Sequence, residues 1–438
     1  MTDLVHCSTS YEGRRWAGII RKGCFLIDNM RIHLKFKSSQ MYFCNKRPFL
    51  ALVFILLTAP KAVSQDDFAS LYTKAKEAYK ARTLAEFQTL IQKAVKLNPG
   101  QQGALYYAGV ACSLRDKPDE AVILLERSIS IDSRYPLKTN PDLMVLEGRT
   151  DFQRLLQFQA ESTKPVIASD TAFVIPDRQL HAEGIAWDSK TNTFYLGSIH
   201  KGKIVTISAH GDLQDFLKKP VKGITSVFGL KVDTNRRLLW ACTSPVPETN
   251  SYQPSMHSAV FKFNIDNNSL LETYQPDSTI TGSVFGDLAV GPQGAIFISD
   301  GKNNIIFRLN ESTKHLENYY SSPDFGNIQG LAFSDDGALL YIADYMKGIF
   351  VLHTATKQLS RLTELPLTSL KGIDGLLYHK KGLIAIQNGV FPIRVVRYLL
   401  DEQGLAINSA QTIESNHPAF NEPTLGTIVG ENLYYIAN

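Results

Sequence analysis

A short pattern that recurs six times in the second half of the chain limits the possible folds most. In each copy one variable residue, usually followed by glycine, leads directly into an apolar run typical of a strand. The copies begin at Glu183, Phe228, Gly286, Gln329, Asp374 and Leu425. The intervals between them are 45, 58, 43, 45 and 51 residues. This period is expected when every repeat is one small antiparallel sheet, so the sequence predicts a radial array of six sheets.

Each copy is followed by a second apolar run, after a turn rich in Gly, Pro, Asn and Asp. Residues 292–294 and 334–337 are two such turns, and their composition suits tight hairpins. An all-β six-bladed β-propeller over residues 171–438 fits this pattern, because radial repetition protects the edges of the sheets. The sixth repeat has only two clear strands, so we expect residues 171–175 to return and supply an outer strand.

The region before these repeats, residues 66–160, has helical periodicity and an internal repeat. Residues 94–99 recur as residues 128–133, at an offset of 34 residues. This offset is the tetratricopeptide period. Small residues such as Gly109 and Ala121 stand where paired helices would approach closely. The sequence therefore predicts an all-α tetratricopeptide-like domain ahead of the propeller.

The role of this helical domain has two interpretations. Repeat units bury their faces only against neighbours, so a short array is best supported by a larger body. We favour a brace that rests on the propeller. The alternative is a groove that binds a protein partner. In either case residues 161–170 form the linker between the two domains.

The net positive charge of the chain comes from its beginning. Residues 1–64 contain ten Lys and Arg and three acids, which leaves 36 bases and 39 acids in the remainder. After the leader nothing indicates binding to nucleic acid. Only Cys112 and Cys242 follow the leader, so a disulfide-stapled scaffold is not indicated.

Residues 41–64 have the form of a secretory signal peptide. A basic pair and an apolar run at residues 49–57 precede small residues at the expected cleavage site. The apolar run is shorter than the roughly 20 residues of a membrane span. We therefore expect export, to the periplasm or out of the cell, rather than an inserted membrane helix, which is the alternative. We also expect translation to begin at Met41, with residues 1–40 an over-extended, unstructured start.

The first strand of each propeller blade lines the central channel, so the six variable residues should converge there. Two of them are carboxylates and one is an amide, whereas Phe228 and Leu425 make the channel less polar. Three copies resemble the blade-starting motifs of the gluconolactonase and senescence-marker-protein (regucalcin) family. The motifs are Glu183-Gly184 before Trp187-Asp188, Gln329-Gly330-Leu331 before residues 334–337, and Asp374-Gly375.

This resemblance, which covers roughly residues 171–438, implies a metal-dependent hydrolase of a small lactone or ester. It implies Glu183, Gln329 and Asp374 as ligands of a divalent ion, with Ca²⁺ the expected one because hard ions take oxygen ligands. Gln329 stands where the family has an asparagine. Gly286 stands where the family has a further asparagine, and Gly286 and Phe228 are the expected substrate contacts. The ion would polarise the substrate carbonyl, and Asp374 is the expected general base.

Two functions remain open at this point. The first is an exported metal-dependent hydrolase; the second is a non-catalytic exported module whose helices and propeller bind a protein or glycan partner. A channel can also retain carboxylates as hydrated groups without a metal. Asp287 should point away from the channel by strand alternation. His181 and His379 lie near blade starts, although a lone histidine is more often a packing or surface residue.

Overall fold

The computed structural model describes residues 4–8, 67–208 and 211–437. A helical region is followed by a larger domain built of β-sheets. The predicted signal peptide at 41–64 lies outside the described residues. Within the described ranges, no helix is long and apolar enough to span a membrane.

The helical region consists of two helical hairpins followed by a short 3₁₀ helix and a final helix. The helices are α1 (Phe68–Lys80), α2 (Leu84–Leu97), α3 (Gln102–Ser113), α4 (Pro118–Ile131) and α5 (Thr150–Ser162), with the 3₁₀ helix at Pro141–Leu146. The starts of α1 and α3, and of α2 and α4, have the predicted offset of 34 residues. A Cβ on Gly109 would lie 2.7 Å from Cγ of Leu125 and 3.2 Å from the Ala121 carbonyl oxygen. Small residues therefore do allow α3 and α4 to pack closely, as predicted.

The β domain contains six four-stranded units, or blades, two of which are joined into one eight-stranded sheet. Blade one consists of β3 (Ala182–Asp188), β4 (Thr193–Ser198), β5 (Ile204–Ile207) and β6 (Leu213–Asp215). Blade two consists of β7 (Ser226–Asp233), β8 (Leu238–Ser244), β9 (Ala259–Asn264) and β10 (Ser269–Pro276). Blade three consists of β11 (Phe285–Val290), β12 (Ile296–Asp300), β13 (Ile305–Asn310) and β14 (His315–Ser321). A short parallel contact between β10 and β14 joins blades two and three.

The remaining blades follow the same order. Blade four consists of β15 (Ile328–Phe333), β16 (Leu339–Asp344), β17 (Gly348–His353) and β18 (Leu359–Arg361). Blade five consists of β19 (Ile373–His379), β20 (Gly382–Gln387), β21 (Arg394–Leu400) and β22 (Ile407–Ser415). Blade six consists of β23 (Gly426–Val429), β24 (Asn432–Ile436), β1 (Leu4–Ser8) and β2 (Ser169–Val174).

The first strands of the blades form a closed ring. Each contacts the first strand of the next blade, in the order β3, β7, β11, β15, β19, β23 and back to β3. The space inside this ring is the central channel. The six blades and their first strands match the six repeats predicted from the sequence.

The glycine after the variable residue is required by this ring. A Cβ on Gly184 would overlap the carbonyl oxygen of Phe228, on the next first strand. A Cβ on Gly330 would lie 2.7 Å from the Leu376 backbone nitrogen, again on the next first strand. At Gly184 and Gly330 neighbouring first strands therefore approach too closely for a side chain.

Blade six differs in part from the expectation. The predicted outer strand is present as β2, at the outside of the sheet, but β1 lies between β2 and β24 and pairs with both in parallel. Residues 1–40 are expected from the sequence to be an unstructured start, whereas Leu4–Ser8 is a strand. The backbone groups of β24 and β2 that face each other need partners, and β1 supplies them.

The helical region rests on blade five. The backbone nitrogen of Phe391 donates to the Ile131 carbonyl at 2.8 Å, and Ser133 donates back to Phe391 at 2.9 Å. Arg394, which is buried, donates to the Ser130 carbonyl at 3.0 Å. These contacts fix the end of α4 to the loop between β20 and β21, as a brace would.

Candidate functional site

The site is centred on Asp374, the second residue of β19. The Asn388 amide donates to Oδ2 of Asp374 at 2.8 Å and to the Pro423 carbonyl at 3.1 Å. The hydroxyl of Tyr345 donates to Oδ1 of Asn388 at 3.0 Å. Burial raises the pKa of Asp374 to about 6, with Glu422 adding to the effect and the hydrogen bond from Asn388 opposing it.

Glu183, on β3, is the second carboxylate of the channel. Burial raises its pKa well above the ordinary value, and the charges of Asp374 and Glu422 raise it further. The hydroxyl of Thr424 donates to the Glu183 backbone carbonyl at 3.0 Å, which ties the loop before β23 to this strand. Among the described residues, no Lys or Arg forms an ion pair with Glu183, Asp374 or Glu422. The described part of the chain therefore supplies no ion-pair partner that would favour the charged forms of these carboxylates.

Gln329 and Gly286 both depart from the family pattern, and the side chain of Gln329 fills the space beside Gly286. Nε2 of Gln329 donates to Oδ1 of Asn327 at 2.7 Å. Its Oε1 occupies the position that a side chain on residue 286 would need, since a Cβ there would overlap it. The longer side chain of Gln329 is accommodated because residue 286 is glycine. The amide oxygen, held by the bond of its nitrogen to Asn327, remains available as a ligand.

The other two channel positions are apolar. Phe228 is partly buried and packs against the core shared by blades two and three. Leu425 is buried. Asp287 is 2% exposed, with Lys231 Nζ 3.3 Å from its Oδ1, and its charge adds to the raised pKa of Asp374.

A histidine pair adds to the site. Nδ1 of His181 and Nε2 of His200 are 3.1 Å apart, so one ring must donate a proton and the other accept it. Burial lowers the pKa of His181, and the neighbouring His200 lowers it further, while Glu422 and Glu248 act in the opposite direction. The lowered pKa favours the neutral imidazole of His181.

His379, noted near a blade start, is the last residue of β19, whereas Asp374 lies at its start. At that far end its Nε2 is 3.9 Å from a carboxylate oxygen of Glu431.

Four residues of the site were not predicted: Tyr345, Asn388, His200 and Glu422. Tyr345 and Asn388 each follow the second strand of a blade directly. Antiparallel pairing places the end of that strand beside the start of the first, as Gln387 pairs with Ile373. Polar residues that directly follow the second apolar run of a repeat therefore indicate side chains close to the start of the first strand. Glu422 carries no such signal, because its loop reaches the site only through the closure of the ring.

The oxygen-rich composition of the channel fits a hard divalent ion. Two carboxylates and an amide oxygen are ligands that Ca²⁺ prefers, and water or substrate would complete the six to eight oxygens it takes. In the part of the chain that the structure describes, no group of three or more His, Cys, Asp or Glu side chains is arranged to hold a metal. The expected ligand set contains only two such residues, Glu183 and Asp374, beside the Gln329 oxygen.

No family model and no curated protein sequence matches the chain, so membership of the gluconolactonase and senescence-marker-protein family stays a prediction. Three solved structures are similar to part of it. A nidogen/laminin complex has a TM-score of 0.45 at 14% identity, covering 62% of this chain and 89% of that one. An inactive virginiamycin B lyase from Staphylococcus aureus with quinupristin has a TM-score of 0.43 at 16% identity, covering 60% of this chain and 79% of that one. A gluconolactonase from Xanthomonas campestris has a TM-score of 0.41 at 16% identity, covering 56% of this chain and 79% of that one. Similarity this low does not identify an activity.

Proposed function

We propose that this protein is a six-bladed β-propeller hydrolase that binds a divalent cation, Ca²⁺ in the first instance, between Glu183 and Asp374. One observation carries the proposal: the carboxylates of Glu183 and Asp374 both have raised pKa values, the charge of Asp374 raises the pKa of Glu183, and the described residues supply no cation to either. Bringing like charges together out of water is unfavourable. A divalent ion between the two carboxylates would attract both and stabilise their ionised forms.

The proposed substrate is a small lactone or ester. The bound cation would polarise the carbonyl group of the substrate. Gln329 would contribute its Oε1 as the third protein ligand. Asp374, ionised above about pH 6, would accept a proton from the attacking water, while the amide of Asn388 holds the carboxylate in place. Phe228 and the backbone at Gly286 are the proposed substrate contacts.

The first test is cation binding by isothermal titration calorimetry. Protein freed of metal by chelator is titrated with CaCl₂, and saturable binding to one site is expected. Glu183→Gln and Asp374→Asn should each weaken binding at least tenfold, since each removes one charged ligand. Asp335→Asn is the control, because Asp335 is an exposed carboxylate on a turn outside the channel. Absence of binding for Ca²⁺, Mg²⁺, Mn²⁺ and Zn²⁺ would exclude the proposal.

The second test is turnover. A panel of γ- and δ-lactones and aryl esters is assayed with wild-type protein and Asp374→Asn, both saturated with cation. Hydrolysis by the wild type and loss of kcat in the variant are expected, because the variant lacks the proposed base. Equal rates would exclude Asp374 from that role.

A non-catalytic binding module is the second candidate. Exposed apolar side chains on the helical region favour it: Met144 is 58% and Val145 68% exposed. Cation binding without turnover of any lactone or ester would support this function over the first. Export is part of both proposals, and a mature amino terminus near Gln65, found by mass spectrometry of the exported fraction, is the expected result.

A further inference from the structure

A cavity of about 580 Å³ lies where the helical region meets blades four and five. Residues from the ends of α2 and α4 form one wall, and the loops at 346–347 and 364–371 form the other. Leu105, Ile131 and Leu367 contribute apolar surface. Cavities of this size between domains are typical of small-molecule sites.

Four basic side chains line this cavity: Arg127, Lys347, Arg361 and Lys371. Within the described residues, their hydrogen bonds go to backbone carbonyls. Arg127 donates to Pro99 at 2.8 Å, Lys371 to Gly100 at 2.9 Å, Arg361 to Lys347 at 3.2 Å and Lys347 to Asp324 at 2.7 Å. Backbone carbonyls hold these side chains in place without neutralising their charge.

The cavity has few carboxylates to balance these four charges. Glu126 is paired with Arg154 at 2.8 Å. Glu364 is the other acidic residue of the lining; within the described residues it forms no ion pair, and the charges of Lys371, Arg127 and Arg361 act on it. The cavity therefore carries an excess of positive charge beside apolar walls.

We propose that this cavity binds a small organic anion, with a carboxylate or phosphate head and an apolar body. The two arginines and two lysines would bind the head, because charge-assisted hydrogen bonds to anions are the strongest available here. The apolar walls would bury the body. This site is distinct from the central channel, whose carboxylates repel an anion.

The test uses 1-naphthyl phosphate as the probe and the full chain as the protein. Calorimetry should show saturable binding to one site. Arg127→Gln and Arg361→Gln should each weaken binding about tenfold, as expected for loss of one charge-assisted hydrogen bond. Glu364→Gln should tighten binding, because it removes the unpaired negative charge of the cavity. Lys302→Gln, at an exposed lysine of blade three, should leave the affinity unchanged.

The opposite directions expected for Arg361→Gln and Glu364→Gln separate a specific effect from misfolding, since misfolding can only weaken binding. The neutral analogue 1-naphthylmethanol should bind at least tenfold more weakly than the phosphate. The proposal is overturned if the neutral analogue binds equally well, or if neither arginine variant changes the affinity. It is also overturned if Asp374→Asn, in the channel, alters probe binding as much as the arginine variants do.

Discussion

Replacing Asp374 with asparagine is expected to stabilise the cation-free protein at neutral and alkaline pH. The folded state holds the pKa of Asp374 at about 6, against an ordinary value of 3.8. Between these two values the folded state retains a proton that the unfolded state has lost. The free energy of unfolding therefore falls as pH rises through this window, and the full cost applies above about pH 6.

The size of this cost follows from the two pKa values. At about 1.4 kcal/mol for each pH unit between them, the ionised carboxylate costs about 3 kcal/mol. Asparagine keeps the shape of the side chain, and its oxygen can still accept the hydrogen bond from Asn388. The variant should gain up to about 3 kcal/mol at pH 8, and the gain should shrink toward zero near pH 4.

Urea unfolding from pH 4 to pH 8, in the presence of chelator, measures this difference. Asp335→Asn serves as the matched control, since its carboxylate is exposed and lies on a turn. Adding Ca²⁺ should stabilise the wild type at pH 8 and should have little effect on Asp374→Asn. A variant no more stable than the wild type at pH 8, or a gain that does not depend on pH, would refute the reasoning about the channel.

Three further predictions address the scaffold and the support of the site. Gly184→Ala should destabilise the protein by about 1–3 kcal/mol, because its Cβ would overlap the next first strand. The control Gly148→Ala should leave the stability unchanged, because open space surrounds Gly148. Thermal unfolding of the two variants measures this difference. Asn388→Ala should raise the pKa of Asp374 further, since it removes a hydrogen bond that lowers this pKa. The pH midpoint of Ca²⁺ binding, measured by calorimetry, should then move upward. An unchanged midpoint would contradict this. Arg394→Ala should loosen the helical region by leaving the Ser130 carbonyl without the hydrogen bond from Arg394, and amide exchange in α4 should rise by at least tenfold while that of blade three stays constant.

The channel residues show what can be read from a repeat and what cannot. Glu183, Gln329 and Asp374 were found because each occupies the same place in a repeated pattern, and the ring brings equivalent positions together. Asn388 was missed because it follows the second strand, which was used only to define the blade. His200 was missed although its partner His181 was noted, because the pairing depends on a loop that returns after β4.

The two departures from the family motif were also understood only in three dimensions. In the sequence, Gln329 and Gly286 are separate substitutions 43 residues apart. In the structure the amide of one occupies the space left by the other. A contact between neighbouring blades cannot be read from either residue alone, because it depends on the distance between two first strands.

The sequence by itself determined the number of sheets, the place of each first strand and the helical hairpins ahead of them. These follow from local periodicity and from glycines that the close approach of strands requires. The tertiary structure decided which charges share the channel, how Glu422 and Asn388 join them, and where the helical region forms a basic cavity with blades four and five. Such arrangements depend on contacts between residues far apart in the chain, for which local sequence carries no signal.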